Sequence, residues 1–298
     1  MSVAAARLSH LDNLWFQVSG TLCNIACTHC FNSSGPNVKT FGMMTLANVR
    51  EELESAARLG VKEIFFTGGE PLLHPQLLEM IELALEQAPT TILTNGTLIN
   101  DRIAGRLAEI ERAARYSLEI RISLDGYTGE MNDAIRGKGG FQQALDAAAR
   151  LSRVGLLPLV TIVRTWSEPQ ELETLAGFER VLKAAGYARA RIKILPALPL
   201  GRELVRSPEL AADEDLLTEE MLDGFDRELL MCSNSRIVTD RGVWVCPLLV
   251  EKPDARLGDS LSSAALEYTL AHHACVSCYR YGTICGNPSA DAQIELMG

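Results

Sequence analysis

The sequence lacks a basic surplus. Its 298 residues carry 28 Lys and Arg against 38 Asp and Glu, a net charge of −10. With a pI near 5.1, this excludes a protein that grips nucleic acid or anionic membrane through bulk charge. The chain also lacks any run of about 18 apolar residues, so no bilayer-spanning helix is expected. The stretch from Met1 to Arg7 is too short for the apolar region of a signal peptide, and a cytoplasmic location is expected. Internal repeats and low-complexity tracts are missing, and cysteine is absent between Cys30 and Cys232. What is present is an ordinary globular composition, 47% hydrophobic and 22% charged. The length suits about two domains, or one α/β barrel with an appendage.

The eight cysteines fall into two groups. Cys23, Cys27 and Cys30 lie in one short loop, while Cys232, Cys246, Cys275, Cys278 and Cys285 lie in the last quarter of the chain. In a cytoplasmic protein such clusters read as metal ligands or catalytic thiols rather than disulfides, so two metal sites are expected. Between the groups, short β-type runs alternate with helical periodicity, the pattern of parallel strands joined by crossover helices. Strands are expected at Trp15–Val18, Glu63–Phe66, Thr91–Leu93, Leu118–Leu124, Leu159–Val163 and Arg191–Leu195. The best-bounded helix starts at Thr45 as N-cap, buries Leu46, Val49, Leu53 and Ala57, and ends at Gly60.

Six such βα units make an open barrel or a doubly wound sheet. After Leu195 the punctuation of Pro196, Pro199, Gly201 and Pro208 marks a junction. Ala211–Asp226 reads as an acidic helical stretch, followed by a hairpin over Arg236–Val245 and a helix near Ser263–Ala271. The expected division is a barrel over 12–200, a linker helix over 201–228 and a small C-terminal domain over 229–298. So small a domain with few core positions calls for a metal staple.

The first thiol loop, Cys23-x3-Cys27-x2-Cys30, directly follows the first strand, at the end of the sheet where α/β folds hold their active sites. A closed zinc or ferredoxin site takes four protein ligands, whereas three thiolates on a 4Fe-4S cube leave one iron open to a small molecule. A zinc knuckle completed by His29 or Cys232 is the competing reading. Gly68-Gly69-Glu70-Pro71, Thr94-Asn95-Gly96 and Ser123-Leu124-Asp125-Gly126 close the next three strands. Polar and glycine groups delivered to one mouth by successive strands point to a shared ligand, because packing there would favour apolar residues. Two glycines let backbone approach that ligand closely, and Glu70 offers a carboxylate to an ammonium group. Arg202, beyond the last strand, either meets an anionic substrate or caps the barrel.

These motifs, in this order, resemble the radical S-adenosylmethionine enzymes over about Leu14 to Leu195. Asn132-Asp133-x2-Arg136-Gly137 with Gly139-Gly140-Phe141 resembles the subgroup with C-terminal auxiliary clusters, which includes peptide maturases and the molybdopterin-precursor cyclase. The resemblance implies a partial (β/α)6 TIM barrel, an α/β fold, with a small α+β iron–sulfur domain of the twitch or SPASM kind. It implies two 4Fe-4S clusters and S-adenosylmethionine as cofactors. Cys23, Cys27 and Cys30 would ligate the first cluster, with His29 where the family usually has an aromatic beside adenine. Gly68, Gly69 and Glu70 would receive the methionine ammonium, Ser123 and Arg136 its carboxylate, Asp125 and Asn95 would face the ribose, and Leu195 would meet adenine by its backbone.

The C-terminal order resembles the twitch domain. Cys232, Cys246, Cys275 and Cys278 are its ligands by the shortest mapping, with Cys285 a replacement ligand or a free thiol. A four-cysteine zinc site would need the same thiols.

The activity so implied is reductive cleavage of S-adenosylmethionine to a 5′-deoxyadenosyl radical that abstracts a substrate hydrogen. An auxiliary cluster would then support oxidation or cross-linking of a ribosomal peptide or small molecule. Rearrangement of a nucleotide or cofactor precursor is the alternative enzyme, and a zinc-stapled or iron–sulfur binding module the alternative from outside catalysis. An external one-electron reductase of flavodoxin or ferredoxin type is the expected partner. Because the first strand begins by about Leu14, no N-terminal peptide-recognition domain is expected.

Overall fold

The computed structural model describes residues 2–210 and 216–282, so Cys285 lies outside the described residues. A short strand β1 (Ala5–Ala6) precedes an alternating series: β2 (Asn13–Gln17), α1 (Leu46–Arg58), β3 (Glu63–Thr67), α2 (Leu77–Leu85), β4 (Thr90–Thr94), α3 (Asp101–Ala113) and β5 (Leu118–Ser123). It continues through α4 (Gly129–Arg136), α5 (Gly140–Arg153), β6 (Leu159–Val163), α6 (Glu171–Ala184), β7 (Arg191–Leu195) and α7 (Gly201–Arg206). The C-terminal part holds α8 (Met231–Asn234), β8 (Ser235–Thr239), β9 (Gly242–Trp244), β10 (Arg256–Gly258), β11 (Tyr268–Thr269) and α9 (His273–Tyr281).

Strands β2 to β7 lie side by side in chain order, all parallel, as crossover helices require. The helices begin where their caps dictate. The hydroxyls of Thr45 and Thr128 and the amide oxygen of Asn100 accept from the backbone N–H three residues on, satisfying donors that the helix itself leaves free. Helix α4 was not legible in the sequence, where its segment reads only as a motif.

Side-chain alternation along the strands sorts two cores. Leu14 and Phe16 of β2, with Ile64 and Phe66 of β3, face the helices and pack with Val49, Leu53 and Met80. Trp15 and Phe65 point to the opposite face, where their rings stack with centroids 4.1 Å apart. That face is covered by the C-terminal part of the chain through Leu222, Met231, Trp244 and Val276.

Three expectations are corrected here. The linker helix over 201–228 is instead a short helix, α7, followed over the described residues 216–226 by turns, of which Thr218 bridges to Val3. The helix near Ser263–Ala271 is displaced, and the segment forms a 3-10 turn at Leu261–Ser263 and then β11, with α9 beginning only at His273. Strands β8, β9 and β10 of the C-terminal part also do not build a separate sheet. Strand β8 adds parallel to β2, the expected hairpin follows with Ile237 facing Trp244, and among the described residues one nine-stranded sheet runs β10-β9-β8-β2-β3-β4-β5-β6-β7. The inner sheet face supplies the core that the C-terminal segment lacks on its own.

If Trp15 joins the two parts, Trp15→Ala should cost about 3–5 kcal/mol. This is read as a fall in the anaerobic thermal midpoint, against no change for Leu172→Ala at a position that is 84% exposed. Equal midpoints for the two variants would contradict the shared core.

Candidate active site

A cavity of about 190 Å³ opens at the C-terminal ends of the parallel strands. Its wall includes Cys23, Cys27 and Cys30 together with Gly68, Gly69, Asn95, Ser123, Arg136 and Leu195, the residues that the sequence assigns to one ligand. His29 lines it as well. The loop that carries the thiols has no helix or strand, so its shape is imposed by neighbours. Arg202 does most of this: its Nε donates to the carbonyl of Cys27 at 2.7 Å, and its two Nη atoms donate to Ser33 at 3.0 Å and Ser34 at 2.7 Å. Its backbone N–H also donates to Cys30 at 2.9 Å. A guanidinium suits this task because its donors form a rigid fork. Of the two readings for Arg202, the capping one matches these contacts.

The glycines act differently from expectation. A Cβ on Gly69 would lie 2.2 Å from the carbonyl oxygen of Leu22, so what approaches closely there is the thiol loop rather than a ligand. Gly201, with φ +55°, meets the same constraint against the carbonyl of Phe31, also at 2.2 Å.

Two carboxylates also sit elsewhere than expected. Glu70 is fully buried and absent from the cavity wall. It accepts from the backbone N–H of Leu72 at 3.1 Å and of Asn95 at 2.8 Å, and from the Thr94 hydroxyl at 2.7 Å. It therefore ties β3 to the end of β4, and Gly68 and Gly69 are the part of the motif that faces the cavity. Burial raises its pKa to about 7, against the pull of those donors.

Asp125 is likewise buried and off the wall. It accepts from Arg136 Nε at 2.5 Å and from the Val163 N–H at 2.8 Å, and pairs with His29 Nε2 at 2.6 Å. Burial alone would raise its pKa, but Arg136 and His29 hold it well below the usual carboxylate range. Asp125 thus orients two wall residues, while its own carboxylate lies off the wall. Arg136, held from behind, places Nη1 3.9 Å from the Cys27 sulfur, and burial is outweighed there by the Asp125 charge, which keeps the guanidinium protonated. Asn95 Nδ2 stands 3.7 Å from the Cys23 sulfur.

Residues not singled out by the sequence reading complete the wall. Arg121 is one: it lies two positions before Ser123 in β5, and period-two alternation places both on the same face. That alternation was the available signal.

The C-terminal thiols gather in a second, smaller cavity. Cys232, Cys246, Cys275 and Cys278 line about 20 Å³ with Met231, Leu248, Leu249 and Tyr268. Burial pushes Cys246 up to about 12, Cys278 to about 11 and Cys232 well above the ordinary thiol value. In the first loop burial raises Cys23 to about 11 and also raises Cys27. At neutral pH these groups stay protonated unless a metal centre takes them as thiolates, which matches the donor set of an iron–sulfur cluster. Among the described residues no three His, Cys, Asp or Glu side chains draw together closely enough for a single ion. A cube, in which each iron takes its own thiolate, asks for wider spacing.

The parallel α/β sheet and three-thiol mouth define a class, and the comparisons with known proteins agree. Residues 18–167 match the model of the radical SAM superfamily. The chain belongs to the radical SAM superfamily. It is 34% identical over 159 residues to the mycofactocin maturase MftC of Mycobacterium tuberculosis, covering 52% of this chain and 39% of that protein. It is 38% identical over 138 residues to the pre-heme d1 synthase of Dinoroseobacter shibae, covering 45% and 32%. The chain spans less than half the length of the curated relatives it matches. Its fold resembles that of Streptococcus suis SuiB bound to S-adenosylmethionine, with a TM-score of 0.63 at 16% identity over 91% of this chain and 69% of that one. No helix among the described residues is long and apolar enough to cross a membrane.

The raised Glu70 has a pH consequence. Its folded value of about 7 lies above the ordinary 4.5, so its contribution to stability is fully present below the unfolded value and is lost as pH rises through the folded one. The thermal midpoint of wild type should therefore fall relative to that of Glu70→Gln as pH rises from about 5 to about 8. A gap that stays constant over that window would place the Glu70 pKa near its ordinary value.

Proposed function

We propose that this chain is a radical SAM enzyme that cleaves S-adenosylmethionine reductively and abstracts a hydrogen from its substrate. The observation that carries the reading is the convergence of Cys23, Cys27 and Cys30, with no fourth cysteine among the described residues, on one cavity wall with Ser123 and Arg136. A 4Fe-4S cluster on these thiols would supply an open iron and a low-potential electron, and so a 5′-deoxyadenosyl radical. Arg136 and Ser123 would hold the methionine carboxylate, with Arg136 fixed by Asp125. Gly68 and Gly69 would present backbone to the ammonium, while Asn95 and Leu195 would flank the nucleoside. His29, pinned through Nε2, keeps its buried Nδ1 free for that same ligand. The apolar walls around the mouth would exclude water from the radical.

The C-terminal thiols Cys232, Cys246, Cys275 and Cys278 would hold an auxiliary 4Fe-4S cluster in a twitch- or SPASM-like part of the fold, over about 229–298. The barrel reading, a partial (β/α)6 over 12–200, is supported by the parallel series β2–β7. The auxiliary cluster would accept an electron during oxidation or cross-linking of the substrate, and a flavodoxin or ferredoxin in the cytoplasm would supply the first one. A ribosomal peptide is the substrate class favoured by the likeness to MftC, named a maturase, and to SuiB, whose structure is also known with its precursor peptide SuiA. The likeness to pre-heme d1 synthase favours a small cofactor precursor as the second reading.

Anaerobic reconstitution should load about eight irons per chain, and dithionite with S-adenosylmethionine should release 5′-deoxyadenosine. Cys27→Ala should remove about four irons and all deoxyadenosine, whereas Cys246→Ala should remove about four irons and leave deoxyadenosine formation intact. Zinc in place of iron, or fully loaded clusters that release no deoxyadenosine, would contradict the reading.

A further inference from the structure

Among the described residues Arg236 is the largest charged side chain sealed inside the fold. It sits on β8 beside Leu14 of β2 and is 0% exposed. Its Nε donates to the carbonyl of Ala264 at 2.8 Å. Its Nη1 donates to Cys232 at 2.6 Å, Ser235 at 2.7 Å and Val245 at 3.3 Å, again through carbonyls. Nη2 has no partner. Every acceptor is a neutral carbonyl, and among the described residues no carboxylate forms an ion pair with this guanidinium. The groups of opposite charge that act on it are the thiolate forms of Cys232 and Cys246.

A buried cation without a counter-charge is costly, and removing one partner of a buried pair is more destabilising than removing both. Carbonyl dipoles solvate Arg236 but leave its charge uncompensated. The thiolates of the C-terminal site provide the missing negative charge, so the cation and the site are halves of one arrangement.

We propose that Arg236 is the fixed counter-charge of the C-terminal thiolate site and holds the reduction potential of the auxiliary cluster high enough for it to accept an electron. The inference rests on the reading that Cys232, Cys246, Cys275 and Cys278 ligate a 4Fe-4S cluster. Reduction adds one electron to an already anionic tetrathiolate centre, and a positive charge held nearby in a dry interior favours that reduced form. Its hydrogen bonds run to Ala264, Cys232, Ser235 and Val245, and none of these partners belongs to the first thiol loop. Arg236 is thus a positioning and tuning residue, and it touches no substrate.

The test is an anaerobic redox titration followed by electron paramagnetic resonance on the full-length chain carrying Cys23→Ala, Cys27→Ala and Cys30→Ala, so that only the auxiliary cluster reports. In that background Arg236→Met and Arg236→Gln should each make reduction at least tenfold less favourable, 59 mV for one electron. Arg236→Lys should keep the parent potential. Neutral variants that hold their iron and titrate with the parent overturn the proposal. If both neutral variants lose the cluster, retention of iron by Arg236→Lys supports the charge requirement, and its loss there overturns it in favour of packing. A parent that takes up no iron after removal of the first three thiols overturns the cluster reading itself, an outcome distinct from the others.

Discussion

The arrangement depends on how a loop without regular secondary structure is made to hold three thiols at one mouth. Arg202 supplies that constraint from the start of α7, binding the carbonyls of Cys27, Ser33 and Ser34 with its guanidinium and that of Cys30 with its backbone. Gly69 and Gly201 let the end of β3 and the start of α7 close against the same loop. Strands far apart in sequence thereby fix one short segment, and the parallel sheet is the scaffold that brings them together.

A second theme is charge held in place by burial. Asp125 sits behind Arg136 and His29 and keeps both aimed at the cavity, so a residue off the wall sets the geometry of two that line it. Glu70 plays the corresponding part between β3 and β4. On the face of the sheet turned away from the helices, the C-terminal thiols share a core with Trp15, Met231 and Trp244. These thiols are enclosed by the same packing that joins the two parts of the chain, which explains how a segment with few core positions of its own is stable.

Much of this was legible in the sequence because it is periodic or local. The six strands, the cap at Thr45, the hairpin at Arg236–Val245 and the two thiol groups follow from alternation, turn chemistry and spacing. The roles of Glu70 and Asp125 were not legible, since a carboxylate at a strand end looks the same whether it turns toward the mouth or beneath it. Donors such as those of Thr94, Asn95 and Val163, brought in by neighbouring strands, decide that direction. The part of the acidic stretch that is described, residues 216–226, has helical composition but is drawn into turns where Thr218 pairs with Val3. The addition of β8 to β2 is a pairing across more than two hundred residues, for which local patterning carries no signal.

The central claim is that Cys23, Cys27 and Cys30 present a cluster with one open iron to the cavity. Electron–nuclear double resonance on the reduced protein with S-adenosylmethionine carrying a 15N-labelled amino group tests it directly. The account predicts a nitrogen coupling that shows the amino group bound to the cluster. A reduced cluster of full intensity with no such coupling would contradict it.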